Sequence, residues 1–192
     1  MKMKTGLFFG SFNPVHMGHM MIANYMLEFT DLQQLWFVVS PHNPLKRKAS
    51  LLDDMDRLIL LEYAIEDDQR LEVCDVEFRM PKPSYTIDTL TYLKELHPAR
   101  EFVLLMGSDG LETFHKWKNN AIIEEHFMRY IYPRSGYRAD PAAHQNIRLV
   151  DAPRIEISST FIRNAIRKGH DIRYFLPPKV YRHILKMHFY EK

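Results

Sequence analysis

Along the chain, short apolar runs rich in aromatic and β-branched side chains alternate with longer stretches whose apolar residues recur every three to four positions. The short runs, at residues 6–9, 35–39, 71–76, 102–106, 130–132 and 147–150, read as strands. The longer stretches, at residues 17–29, 51–65, 86–96 and 121–126, read as helices. A closing helix pair at 159–168 and 178–187 is divided by Gly169 and the stop Leu176-Pro177-Pro178. Strands and helices in alternation pack as a parallel sheet with helices on both faces. The expected fold is therefore α/β, a doubly wound, mostly parallel sheet with a small C-terminal helical extension. No repeat, low-complexity tract or Gly/Ser linker breaks the pattern, so residues 1–192 read as one domain, with 158–192 as its helical C-terminal part. In such a sheet ligands bind beyond the carboxyl ends of the strands.

Composition adds few constraints. At 192 residues and 46% hydrophobic, the chain can bury roughly 70% of the surface it exposes unfolded, and needs neither disulfide nor structural metal to fold. The single cysteine, Cys74, lies in an alternating run and reads as a small apolar strand residue. Basic and acidic residues nearly balance, 26 against 24, which gives no argument for nucleic acid as a partner and makes local basic clusters candidate phosphate sites. The N-terminal Lys2 and Lys4 have signal-like charge, but the apolar stretch after them stops at Phe9, and no apolar run approaches the ~20 residues that span a bilayer. The expectation is a cytoplasmic protein with no membrane partner.

Two motifs carry candidate chemistry. The first strand runs into Gly10-Ser-Phe-Asn-Pro-Val-His-Met-Gly-His19, where a helix begins. Gly10 permits a tight turn, and the backbone N–H groups of Gly10, Ser11 and Phe12 lie where a triphosphate can approach a helix N-terminus. His16 and His19 are three apart and share one helix face, with Gly18 between them adding no side chain. A metal pair is the alternative, but no Asp, Glu or Cys nearby supplies a third ligand, so an anion is the better fit. The second motif, Ile157-Ser-Ser-Thr-Phe-Ile-Arg163, opens a helix: Ser158, Ser159 and Thr160 are capping hydroxyls, and Arg163 can fork onto phosphate oxygens. Each motif alone is compatible with ordinary capping. Together they point to a polyphosphate.

The pair Gly-x-Phe-x-Pro-x-His-x-Gly-His and Ile-Ser-Ser-Thr-x-Ile-Arg resembles the nucleotidylyltransferase superfamily that carries the HxGH signature, and within it the bacterial nicotinate-nucleotide adenylyltransferases, across roughly residues 4 to 185. The resemblance implies a Rossmann-like fold. It also implies that Ser84, Tyr85 and Thr86 open the acceptor-site helix and that Trp117 stacks on a pyridine ring. Asp109 of Gly107-Ser-Asp would contact a ribose, and a lysine after the second strand would face the triphosphate. Lys46 is preferred for that role over the adjacent Arg47 and Lys48. Two positions depart from the family pattern: Lys118 stands where many members have a second aromatic, and Ser135 stands where Pro usually follows Arg134.

What the resemblance implies is transfer of the adenylyl group of ATP to nicotinate mononucleotide, with His16, His19, Lys46 and Arg163 as the catalytic groups. ATP would be held by Gly10, Ser11, Phe12, Gly107, Asp109, Ser158, Ser159 and Thr160. The acceptor would be held by Ser84, Tyr85, Thr86, Trp117, Lys118 and Arg134. Mg²⁺ is expected to come with the nucleotide rather than in a protein cage. The alternatives are pantetheine phosphate, a flavin mononucleotide, or glycerol phosphate with CTP as acceptor, against which the Ser-Tyr-Thr segment and Trp117 argue, and a non-catalytic nucleotide-binding protein, against which intact His16, His19 and Arg163 count; the sequence does not distinguish nicotinamide mononucleotide from the acid, or a monomer from a homo-oligomer.

Overall fold

The structure, a computed structural model, describes residues 2–41, 51–137, 140 and 143–191. Six strands form one sheet: β1 (Met3–Gly10), β2 (Gln34–Val39), β3 (Leu71–Cys74), β4 (Arg100–Gly107), β5 (Met128–Tyr132) and β6 (Ile147–Leu149). Their order is β3-β2-β1-β4-β5-β6, and every pairing is parallel. The helices are α1 (Met17–Phe29), α2 (Asp54–Ile65), α3 (Thr86–Leu96), α4 (Ser108–Glu112), α5 (Asn120–His126), α6 (Ser159–Arg167) and α7 (Pro178–Lys186).

Alternation along the central strands sorts the core into two layers, because successive strand side chains point to opposite faces. Phe8, Val103, Leu105 and Tyr130 face a layer built with Ile22 and Met26 of α1, Leu60 and Leu61 of α2, Ile162 of α6, and Val180 and Ile184 of α7. Leu7, Leu104 and Ile131 face the other, with Leu90 and Leu93 of α3 and Ile123 of α5. The register aligns Leu7 with Leu104 and Phe8 with Leu105, so like faces meet across the pair. The helical extension, α6 and α7, is continuous with the first of these layers.

Several boundaries differ from the sequence expectation. Strand β3 ends at Cys74 rather than continuing to residue 76, and Val76–Phe78 winds into a 3-10 turn. That turn brings the Glu77 carboxylate inward to two hydroxyls, a polar contact that the alternating pattern could not reveal. Helix α2 starts at Asp54, with Asp53 at its N-cap, instead of at residue 51. The short helix α4 was not anticipated. It opens directly on Gly107 at the end of β4 and places Asp109 in its first turn.

The chain crosses from β3 at one edge back to β4 beside β1, so β1 and β4 flank the point where the winding reverses. Their carboxyl ends, Gly10 and Gly107, therefore open a crevice between the loops that follow them.

Candidate active site

A cleft of about 1090 Å³ occupies that crevice. His16 and His19 reach it from the start of α1, Ser158 to Arg163 from the start of α6, Asp109 and Arg134 from beyond β4 and β5, and Ser84 to Thr86 with Trp117 and Lys118 from the far side. Each candidate residue read from the sequence thus lines this one cleft, except Lys46, which with Arg47 and Lys48 lies outside the described residues.

The α1 end is built around two stacked imidazoles. His16 is the N-cap, in extended conformation, and its backbone N–H donates to His19 Nδ1 at 3.2 Å. The two ring centroids lie 3.8 Å apart. Only 4% of His16 is exposed, and its Nδ1 is shut from solvent with no hydrogen-bond partner among the described residues. Burial, aided by the positive charge of Arg134, pushes its pKa down to about 4, so the ring is neutral at physiological pH. Stacked imidazoles tolerate one another in that state. Gly18 leaves room for the stack: a Cβ at that position would lie 3.0 Å from both Cε1 and Nδ1 of His16 and 3.2 Å from a methyl of Ile155, so those side chains would have to shift.

Helix α6 meets the loop between β1 and α1. Ser158 Oγ caps its first turn by accepting from the Phe161 N–H at 3.1 Å, and Ser159 Oγ donates to the Pro14 carbonyl at 3.0 Å. One nitrogen of Arg163 donates to the Asn13 carbonyl at 2.8 Å and another to Thr160 Oγ1 at 3.2 Å, which holds its guanidinium at the cleft. Two helix N-termini and several cationic side chains therefore converge on the same space, the arrangement that attracts a polyanion.

The opposite wall begins at α3. Tyr85 occupies the N-cap position, and Ser84, instead of capping, donates to Glu77 Oε2 at 3.0 Å. Thr89 donates to the other oxygen of the same carboxylate at 2.8 Å. Glu77, 3% exposed, thereby ties the 3-10 turn to the start of α3. Trp117 closes a second 3-10 turn and packs against Phe114 with centroids 5.6 Å apart. Lys118 lies over the Tyr85 ring at 4.6 Å, with its ammonium 2.8 Å from Asp88. Arg134 sits 3.7 Å from Asp109, and its backbone N–H donates to Ser108 Oγ at 2.9 Å.

Sequence reasoning missed the group that holds the floor of the cleft. Arg57, fully buried, donates from one nitrogen to the carbonyls of Ser11 (2.7 Å) and Ser40 (2.8 Å), from another to Pro41 (3.3 Å) and Asp54 (2.5 Å), and through Nε to Leu52 (3.2 Å). It ties together the loops that leave β1 and β2. The available signal was a cation on the apolar stripe of α2, beside Leu58, Leu60 and Leu61.

Among the described residues no group of three or more His, Cys, Asp or Glu side chains converges as a metal site. No described helix is long and apolar enough to cross a membrane.

Known proteins resemble this chain in sequence and in fold. The Cytidylyltransferase-like family model matches residues 7–165, which include both motifs. A protein of Flavobacterium johnsoniae named probable nicotinate-nucleotide adenylyltransferase is 50% identical over 193 residues, covering 99% of this chain and 100% of its own. The chain belongs to the nicotinate-nucleotide adenylyltransferase family. A second member, from Cytophaga hutchinsonii, is 47% identical over 98% of both chains. At the level of fold, the nicotinic acid mononucleotide adenylyltransferase of Plasmodium falciparum, solved with NaAD, superposes with a TM-score of 0.83 over 98% of this chain and 97% of its own, at 21% identity. The Rossmann-like fold expected of the family is thus the one observed, with every pairing among the described strands parallel.

Proposed function

We propose that the chain transfers the adenylyl group of ATP to nicotinate mononucleotide, giving nicotinate adenine dinucleotide and pyrophosphate, a step of NAD biosynthesis. The observation that carries this reading is one cleft with two unlike walls: helix N-termini with His16, His19 and Arg163 on one side, and the start of α3 with Trp117 on the other. The first suits a triphosphate. The second suits a flat ring bearing a carboxylate, because the free N–H groups at the start of α3 favour an anion over a neutral amide.

The acceptor phosphate attacks the α-phosphorus in line, the bond from that phosphorus to the bridging oxygen breaks, and pyrophosphate leaves. The acceptor is already ionised, so no protein nucleophile or general base is needed. The protein positions both partners and stabilises charge as it develops. His16 acts as a neutral hydrogen-bond donor to the α-phosphate, while His19, Arg163 and Lys46 hold the triphosphate tail. The backbone at Gly10, Ser11 and Phe12, with Gly107, Asp109, Ser158 and Thr160, completes the nucleotide subsite. Ser84, Tyr85, Thr86, Trp117, Lys118 and Arg134 face the acceptor.

The cleft carboxylates fit Mg²⁺ only as the companion of the nucleotide. Among the described cleft carboxylates Glu77 is occupied by two hydroxyls, which leaves Asp109 beside Arg134, so phosphate oxygens and water would have to supply the other ligands. Such an ion would offset the negative charge of the phosphates.

The test is pyrophosphate release from ATP and Mg²⁺ with nicotinate mononucleotide, nicotinamide mononucleotide, pantetheine phosphate and flavin mononucleotide in parallel. Rapid release with the first alone is expected. Preference for any other acceptor would refute the assignment of the α3 wall, and release with none would refute adenylyl transfer.

A further inference from the structure

The segment that follows α7 returns to the cleft. Its turn is a Schellman motif in which His188 takes the left-handed position, with φ 55°, and its N–H donates to Leu185 while the Phe189 N–H donates to Ile184. Glycine is the usual residue there, and a histidine stays in that conformation only where surrounding contacts hold it. Tyr190 is also left-handed, at φ 67°. Phe189 and Tyr190 both pack on the core layer shared by α1, α2, α6 and α7.

The turn aims Tyr190 at the loop between β1 and α1. Its hydroxyl donates to Asn13 Oδ1 at 2.8 Å, across 177 positions of sequence. The same oxygen accepts from the Leu52 N–H at 3.2 Å, and the Asn13 carbonyl accepts from Arg163 at 2.8 Å. Asn13 is almost fully buried, follows Phe12 in a left-handed conformation (φ 44°), and precedes His16 by three residues. Phe12 thus holds a backbone conformation its side chain disfavours, and partners from three distant segments fasten Asn13 beside it.

We propose that Tyr190 is a positioning residue for adenylyl transfer, acting through Asn13 to fix the loop that presents the Phe12 backbone and His16 to the nucleotide. The proposal rests on the adenylyl-transfer reading above. Tyr190 touches no reacting atom. The segment after α7 thus serves as an active-site brace as well as core packing. Burial pushes the phenol pKa up, so the hydroxyl remains a donor throughout the physiological range.

Tyr190→Phe deletes the hydroxyl and keeps the ring. Steady-state kinetics with ATP and nicotinate mononucleotide should show kcat reduced about tenfold with the acceptor KM unchanged, the behaviour of a loosened nucleotide loop. The melting temperature should move by only a few degrees. Asn13→Ala should be slow by itself, and adding Tyr190→Phe to it should cause no further loss, since the hydroxyl would have nothing left to position. A Tyr190→Phe enzyme with wild-type kinetics, or one whose defect persists undiminished in the Asn13→Ala background, overturns the proposal. A wild-type chain inactive with both substrates overturns the adenylyl-transfer reading and this inference together, whereas an active wild type with a kinetically silent Tyr190→Phe overturns this inference alone.

Discussion

His16 offers a prediction in which stability and catalysis can be measured on the same variant. Folding buries its imidazole beside Arg134 and lowers its pKa from 6.5 to about 4. The folded state therefore binds this proton less readily than the unfolded chain does. Because the folded pKa is the lower one, the contribution is fully present above pH 6.5 and is lost as the pH falls toward 4. Linkage between pH 8 and pH 5 amounts to about 2 kcal/mol for a shift of this size, rising to about 3 kcal/mol once the pH falls below both values. His16→Asn has no group titrating there. Urea unfolding of wild type and variant at pH 8, 6.5 and 5 should show the wild type losing about 2 kcal/mol more than the variant over the range, the other titrating groups cancelling in the difference. At pH 8 the variant should keep its fold while turnover falls by about 10²–10³, the loss typical of one preorganised charge-stabilising donor. A stability difference independent of pH would refute the claim that His16 is buried and neutral. Unchanged turnover would remove it from the chemistry.

Two further outcomes follow from the same geometry. Arg57→Met should cost about 3 kcal/mol in denaturant unfolding, because the carbonyls of Ser11, Ser40, Pro41 and Leu52 lose their charged donor, and a loss under 1 kcal/mol would show that the two loops hold themselves. Trp117→Ala should raise the KM for nicotinate mononucleotide about tenfold, the equivalent of one aromatic stack, and leave the KM for ATP unchanged; a shift in the ATP value alone would reverse the assignment of the two walls.

Much of the architecture was legible in the sequence, because it is written in local periods. Unbroken apolar runs around Leu7-Phe8 and Leu104-Leu105 mark strands covered on both faces, and the spacing of Leu58, Leu61 and Ile65 marks one buried helix stripe. The triphosphate wall was legible for a related reason: Gly10 to His19 and Ser158 to Arg163 are contiguous segments, and a helix N-terminus is a local structure with a local signature. Residues bonded across the fold had no such signature. Glu77, just past the run at 71–76, carries no local mark, yet its carboxylate turns inward to the hydroxyls of Ser84 and Thr89. Arg57 stands out locally only as a cation on an apolar stripe, and nothing in its neighbourhood names the carbonyls of the loops after β1 and β2 that it holds. Tyr190 carries no local mark of its partner, since its hydroxyl ends on Asn13, 177 positions away.

The sequence by itself determined the elements, their alternation and the two phosphate motifs, since each depends on neighbours within a turn or two of chain. The tertiary structure alone decided the strand order, the meeting of two helix N-termini at one crevice, and the buried partners that hold the loop before His16. Those depend on which distant backbone carbonyls and hydroxyls are left unsatisfied when the layers close, and a buried polar group must find its partner wherever the fold has placed one.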